Sequence, residues 1–198
     1  MKKILLTGFE PFHKSNQNPS QEIVKEIAQD ALLSHVQTLV LPVEFGRAAE
    51  ILCKKIVEIQ PDVVICLGQA EGRSAITPEQ VAINIDDARI PDNSGNQPND
   101  NPIFAGGPDA YFSTLPVKKL IEVIEESGAP ASLSLSAGTF VCNHVFYAVQ
   151  HFCRDKNVQS GFIHVPLMES QKDEFPGLPT LNLEVLVKAI KAVIKALS

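Results

Sequence analysis

The sequence predicts an α/β fold: a single domain, residues 1–198, in which helices cover both faces of a twisted, mixed but largely parallel sheet, a three-layer α/β/α sandwich. Three observations carry this. The 198 residues suffice for one substantial core and are short for two. Short apolar runs alternate with helix-spaced segments along most of the chain. One run near Val81 has period two, the mark of antiparallel pairing inside an otherwise parallel arrangement.

The elements follow in order. Residues 3–7 form a short apolar run closed by Gly8, as a buried strand requires. Ser20 is the expected N-cap of a helix that carries Ile23, Val24, Ile27, Ala28, Ala31 and Leu32 on one face. Residues 36–41 read as a second strand, stopped by Pro42. Residues 48–59 are helical by the spacing of Ile51, Leu52, Ile56 and Ile59, and residues 63–67 form a third strand closed by Gly68. Val81, Ile83 and Ile85 alternate with Ala82, Asn84 and Asp86. Residues 86–109 are then rich in Pro, Asn, Asp and Gly, a long excursion of the kind that serves as an interface arm or a cover. A helix is expected from Pro116 to Glu126, ended by Gly128. Then come a strand over 132–136, a helix from Thr139 to about Arg154, a strand over 162–165 and an amphipathic helix from about Asn182 to Leu197.

Bulk properties exclude several function classes. The net charge is −6 and no Lys/Arg run is dense enough to track phosphates, so nucleic acid is not an expected partner. No apolar run approaches the roughly 20 residues that cross a bilayer, and no membrane role is expected. The opening MKKILLTGFEPF is too short in apolar residues for a signal peptide and reads as the first strand. A cytoplasmic location is therefore expected. Cys53, Cys66, Cys142 and Cys153 are then free thiols. They form no CxxC pair and no zinc-like spacing with histidine, so no metal is expected. GQAEGR lacks dinucleotide spacing, and no cofactor is expected.

Cys142 is the leading candidate for chemistry. It lies in SAGTFVCNHVFY, where a strand end, a glycine turn and a helix start follow one another. The first turn of a helix offers free N–H groups and the positive end of the dipole, which favour a thiolate. Cys53 and Cys153 sit within helices and Cys66 within a strand, as fillers. A cysteine nucleophile needs a base, usually histidine. His144 is two residues from Cys142 on one helix and points elsewhere. His13 lies in a loop, His35 at the wrong strand edge and His151 two turns away. His164 ends GFIHV at the carboxyl edge, where ligands bind in such sheets. The orienting carboxylate is not selected by spacing among Asp62, Glu71, Glu79, Asp86 and Asp87. Asp86 and Asp87 suit turn chemistry or an Arg pair. Phe9 and Phe12, at the end of the first strand, suit the walls of a small flat pocket.

Several ordered stretches then carry a resemblance: TGFEPF with Asn18-Pro19-Ser20, GQAEGRSAITPEQVAIN, DDARIPDNSGNQP, YFSTLPV, SAGTFVCN and GFIHVP. Together they resemble the pyroglutamyl peptidases (pyrrolidone-carboxylate peptidases), small cytoplasmic cysteine exopeptidases. The resemblance implies a phosphorylase/hydrolase-like α/β sheet and an omega-peptidase that removes N-terminal pyroglutamate from peptides through a thioester. It implies Cys142 as nucleophile, His164 as base and acid, and Glu79 as orienting carboxylate. It implies Arg89 at the oxyanion site, Phe9 and Phe12 around the ring, Asn18 and Gln69 as polar lining, and a homotetramer or dimer. Three stretches depart from the family pattern: His13-Lys14, Gln80, and LMESQ at residues 167–171. Two other readings stay open on sequence: another hydrolase or phosphorylase on the same scaffold, and a catalytically silent binding protein.

Overall fold

Continuous apolar runs such as residues 4–6 and 63–67 bury both faces of their strands only if helices cover both sides of the sheet, and that decides the layers. A computed structural model of the chain describes residues 1–13 and 15–198. The chain runs β1 (Ile4–Phe9), α1 (Pro19–Ala28), β2 (Val36–Leu41), α2 (Arg47–Ile59), β3 (Val63–Gln69), β4 (Thr77–Pro78) and β5 (Val81–Ile83). It continues β6 (Ala110–Phe112), α3 (Val117–Glu126), α4 (Val141–Cys153), β7 (Gln159–Val165), β8 (Leu167–Met168), β9 (Thr180–Leu181) and α5 (Leu183–Leu197). The main sheet has the order β2-β1-β3-β7-β4. Its first four strands are parallel, and β4 runs antiparallel to β7.

Alternate residues of the strands feed two cores. Ile4, Leu6, Val63 and Ile65 pack with Ile23 and Ile27 of α1, Leu120 of α3 and Ile190 of α5. Leu5, Val64, Cys66 and Phe162 pack with Leu52 of α2 and Phe146 of α4. Each such side chain contributes about 1.5–3 kcal/mol when fully buried. The expected three-layer sandwich with a mixed, largely parallel sheet is the observed one.

Four local expectations change. Helix α1 starts two residues early, with Asn18 as its cap in place of Ser20, and ends at Ala28. A short 3-10 turn capped by Asp30 follows, which leaves Leu32 exposed, not on a buried face. Residues 132–136 are no strand. They run beside β4 but make only isolated bridges, among them Glu79 with Ser134, because two-residue β4 offers too short an edge for a ladder. The period two at Val81 reflects pairing with β6 in a separate ribbon, not in the main sheet. The pair β8–β9 had no signal in the sequence pattern.

The excursion over residues 86–109 braces the sheet's carboxyl edge. Asp86 and Asn101 exchange backbone hydrogen bonds across its base. The Asp92 carboxylate accepts from the N–H groups of Ser94, Asn96 and Phe45, and Asn93 Nδ2 donates to Glu10 Oε1 at 2.8 Å and to the Pro11 carbonyl at 3.0 Å. It thereby ties together the loops that follow β1 and β2.

Candidate active site

Cys142 is the second residue of α4, whose N-cap, Phe140, supplies no side-chain cap. Gly138 makes the preceding turn at φ 77°, a conformation that glycine adopts without strain. The first helical bond of α4 runs from His144 N–H to the Phe140 carbonyl. The Cys142 N–H thus belongs to the unfilled first turn. The thiol comes to rest against the carboxyl end of β3. A Cβ added at Gly68 would lie 2.9 Å from Sγ and 2.8 Å from the Phe162 ring, so the approach of the sulfur needs a glycine there.

His164 stands on β7, paired in register with Gly68 of β3 and Thr77 of β4. Its Nδ1 lies 2.7 Å from Glu79 Oε1. Glu79 follows β4, is fully buried, and donates its N–H to the Phe162 carbonyl. Arg73 Nη1 reaches the same Oε1 at 2.6 Å and also bonds the Thr77 hydroxyl, while Nη2 donates to the Ser136 carbonyl at 3.0 Å.

The charges follow from burial and partners. Burial by itself raises the Glu79 carboxyl, but the hydrogen bond and charge of His164, the Ser134 hydroxyl and then the charge of Arg73 outweigh it and hold it below the usual range. An ionised Glu79 accepts the Nδ1 proton of His164 and leaves Nε2 free to act as a base. Burial holds His164 below its ordinary value despite Glu79. Burial, reinforced by the Glu79 charge, pushes the Cys142 thiol up to about 12. Burial and the Glu79 charge thus favour a protonated thiol, against the thiolate expected at a helix start, and burial favours a neutral imidazole.

A cavity of about 200 Å³ opens on the thiol. The expected Phe9, Phe12, Asn18 and Gln69 line it together with Cys142 and His164, and no Asp, Glu, Lys or Arg does among the described residues. Asn18 and Gln69 are nevertheless largely committed. Asn18 Oδ1 accepts from the Ser20 N–H and hydroxyl, and its Nδ2 donates to the Glu10 carbonyl. Gln69 Oε1 accepts from Gln171 Nε2 at 3.0 Å. Arg89 is exposed on the excursion and does not line this cavity. Asp86 pairs with neither a turn nor an arginine. Its Oδ2 lies 2.7 Å from His144 Nδ1, and His144 Nε2 accepts from the Gly46 N–H.

Sequence reasoning missed the wall residue Val43, which had no signal beyond its place after β2, whereas Ala137, Phe140 and Val141 lie in the stretch 136–142 that the strand-end rule sets at the site. It also missed Gln171, which is buried inside the departing stretch 167–171 and whose Oε1 accepts from the Met168 N–H. Of the departing pair His13-Lys14, His13 is exposed at φ 57° and Lys14 lies outside the described residues. Among the described residues no cluster of three or more His, Cys, Asp or Glu is placed to hold a metal ion. No helix among them is long and apolar enough to cross a membrane.

A helix-start thiol that shares a cavity with a carboxylate-backed imidazole, at the carboxyl edge of a mostly parallel sheet, is the arrangement of a cysteine hydrolase. The family model described as pyroglutamyl peptidase matches residues 2–198. The chain belongs to the pyroglutamyl peptidase family. It is 50% identical to the pyrrolidone-carboxylate peptidase of Vibrio parahaemolyticus over 98% of this chain and 91% of that one. The crystal structure of pyroglutamyl peptidase I from Bacillus amyloliquefaciens superposes with a TM-score of 0.92 at 43% identity, covering 96% of this chain and 92% of that one. The pyrrolidone carboxyl peptidase of Pyrococcus furiosus gives a TM-score of 0.91 at 43% identity, with 98% and 96% covered.

Proposed function

We propose that this protein hydrolyses the bond after an N-terminal pyroglutamyl residue in peptides, with Cys142 as nucleophile, His164 as base and acid, and Glu79 as orienting carboxylate. The family and the names of its relatives support the reaction class. The observation that carries the residue roles is the buried contact of 2.7 Å between Glu79 and His164 beside the cavity that holds Cys142.

In this reading the lactam ring enters between Phe9 and Phe12. The Cys142 proton passes to His164 Nε2 as Sγ attacks the pyroglutamyl carbonyl, because the resting thiol is neutral. The carbonyl electron pair moves to oxygen, facing the Cys142 N–H. Collapse breaks the C–N bond, and the leaving amine takes the proton from His164. Water then gives a proton to His164 and attacks the thioester. The thiol departs with that proton, and free pyroglutamate is released. The family resemblance also sets Arg89 at this oxyanion; it is exposed and does not line the cavity.

The lining also supplies selectivity. An ordinary amino terminus would bring an ammonium into a cavity lined by no carboxylate, and an unpaired buried charge is costly. A lactam carries no such charge. The test compares a pyroglutamyl chromogenic amide with the matching prolyl amide, using wild type and Cys142→Ser. Wild type should prefer the pyroglutamyl substrate by at least about 10³-fold, and Cys142→Ser should lose about 10³-fold or more. Equal rates for wild type and Cys142→Ser would sink the mechanism.

A cytoplasmic location belongs to the same reading, supported by four free thiols. So does a homodimer or homotetramer. Phe112, Leu133 and Leu135 are exposed on adjoining segments, since Ser113 and Ser134 both bond the backbone of Gln80.

A further inference from the structure

Glu79 presents a problem that the pair with His164 does not solve. It is wholly buried, and its Oε2 has no hydrogen-bond partner among the described residues. A buried carboxylate facing a neutral imidazole needs a counter-charge. Arg73 supplies one. It lies in the loop after β3, and its side chain is partly open to solvent, 28% exposed. Its guanidinium reaches three elements. Nη1 contacts Glu79 Oε1 and the Thr77 hydroxyl, and Nη2 holds the carbonyl of Ser136 in the loop that leads into Cys142. Thr77 in turn is the register partner of His164.

We propose that Arg73 is a positioning residue of the peptidase reaction: its guanidinium keeps Glu79 ionised while His164 is neutral, and ties the Ser136 loop to the Glu79–His164 pair so that Cys142 meets its base in register. The inference rests on the triad reading given above. A lysine cannot replace this fork, because one ammonium cannot hold the geometry of a planar guanidinium bonded on two sides. Charge and geometry are therefore separable. The charged or titratable groups around His164 are Glu79 from the segment after β4, Arg73 from the loop after β3 and Cys142 from α4. Burial is the main cause that holds His164 low, Glu79 opposes it, and the Arg73 charge adds to the lowering.

The experiment measures kcat and KM on a pyroglutamyl chromogenic amide from about pH 5 to pH 9 for wild type, Arg73→Ala, Arg73→Lys and Cys142→Ser, with thermal melts of each. Arg73→Ala should lose at least about tenfold in kcat, with KM changed less. Its acid limb should move to higher pH, because the charge that lowers His164 is gone. Added guanidinium ion, which can enter from the solvent side, should restore several-fold of the lost rate. Arg73→Lys should lose kcat too but keep the wild-type acid limb. A structural role alone would not separate the two variants in this way. Arg73→Ala with wild-type kcat and acid limb overturns the inference and leaves the triad standing. Should that variant fail to fold, Arg73→Lys with wild-type kcat does the same. A wild type as inactive as Cys142→Ser overturns both readings together.

Discussion

At the scale of single residues, the site depends on which atoms each side chain can still offer. Glu79 Oε1 lies 2.7 Å from His164 Nδ1 and accepts its hydrogen bond, which leaves Nε2 free to serve as the proposed base. Glu79→Gln keeps the shape but loses the charge that selects this tautomer. Its kcat should fall by about 10³-fold or more, as loss of the carboxylate does in other triads, with KM little changed. A kcat within about tenfold of wild type would remove Glu79 from the mechanism. Gly68 makes a second case. Ala at that position sets a Cβ 2.9 Å from Cys142 Sγ, so the thiol or Phe162 must shift. Gly68→Ala should fold and yet lose about 10²-fold in kcat, since a displacement near 1 Å at a reacting atom costs that much. Steady-state kinetics beside a thermal melt decides it. His164 was legible as a candidate because it lies near the end of an apolar strand, where the fold class alone says ligands bind; Cys142 was picked out by its helix start, since the stretch before it is no strand, and it reaches the same edge against Gly68 of β3. Glu79 was not, since five carboxylates had equal claims by spacing. Spacing also gave no sign that Arg73 would reach Glu79.

At the scale of elements, the residues around the cavity are held by caps and loops more than by strands. Asn18 caps α1 and also anchors the Glu10 carbonyl just beyond β1. Asn18→Ala removes both and should cost about 1–2 kcal/mol, a fall in Tm of roughly 2–4 °C per kcal/mol for a chain of this size. Calorimetry checks it, and an unchanged Tm would mean that solvent replaces the cap without loss. The helices were readable from their spacing to within a residue or two, apart from the 3-10 turn after α1. Residues 132–136 were not. The alternation SLSLS looks like a strand, but a strand exists only where a partner offers an edge, and β4 ends after two residues. Likewise the partner of His144, Asp86, 58 positions away, could not be read from spacing.

At the scale of the whole molecule, the buried titratable groups set how stability varies with pH. His164 lies below its ordinary 6.5 and Glu79 below its ordinary 4.5 when folded. As pH falls past 6.5 and then past 4.5, the unfolded chain binds these protons before the folded one does. Stability therefore declines on the acid side. Cys53, Cys66 and Cys142 are raised from 9.0 to about 11, 12 and 12, chiefly by burial. Above pH 9 the unfolded chain loses these protons first, so stability also declines between 9 and about 12. Tm measured across pH should peak between these windows. A Cys66→Ala, Cys142→Ala variant should lose less Tm on the alkaline side than wild type, and an equal loss would remove the thiols as its cause. Light scattering should give a dimer or tetramer, and substituting Phe112 and Leu135 by Ser should shift it toward the monomer.

By itself the sequence determined the layers, the apolar runs that become β1, β2, β3 and β7, and the place of His164 near the end of one of them. Apolar period and helix spacing are local properties, and burying both sheet faces leaves few ways to combine them. Tertiary structure alone decided which carboxylate backs His164, which arginine neutralises it, and why Gln171 props Gln69. Those contacts join residues from 6 to 102 positions apart. They exist because strand register and loop course bring particular atoms within hydrogen-bond reach, and no local pattern in a chain encodes a distance of that kind.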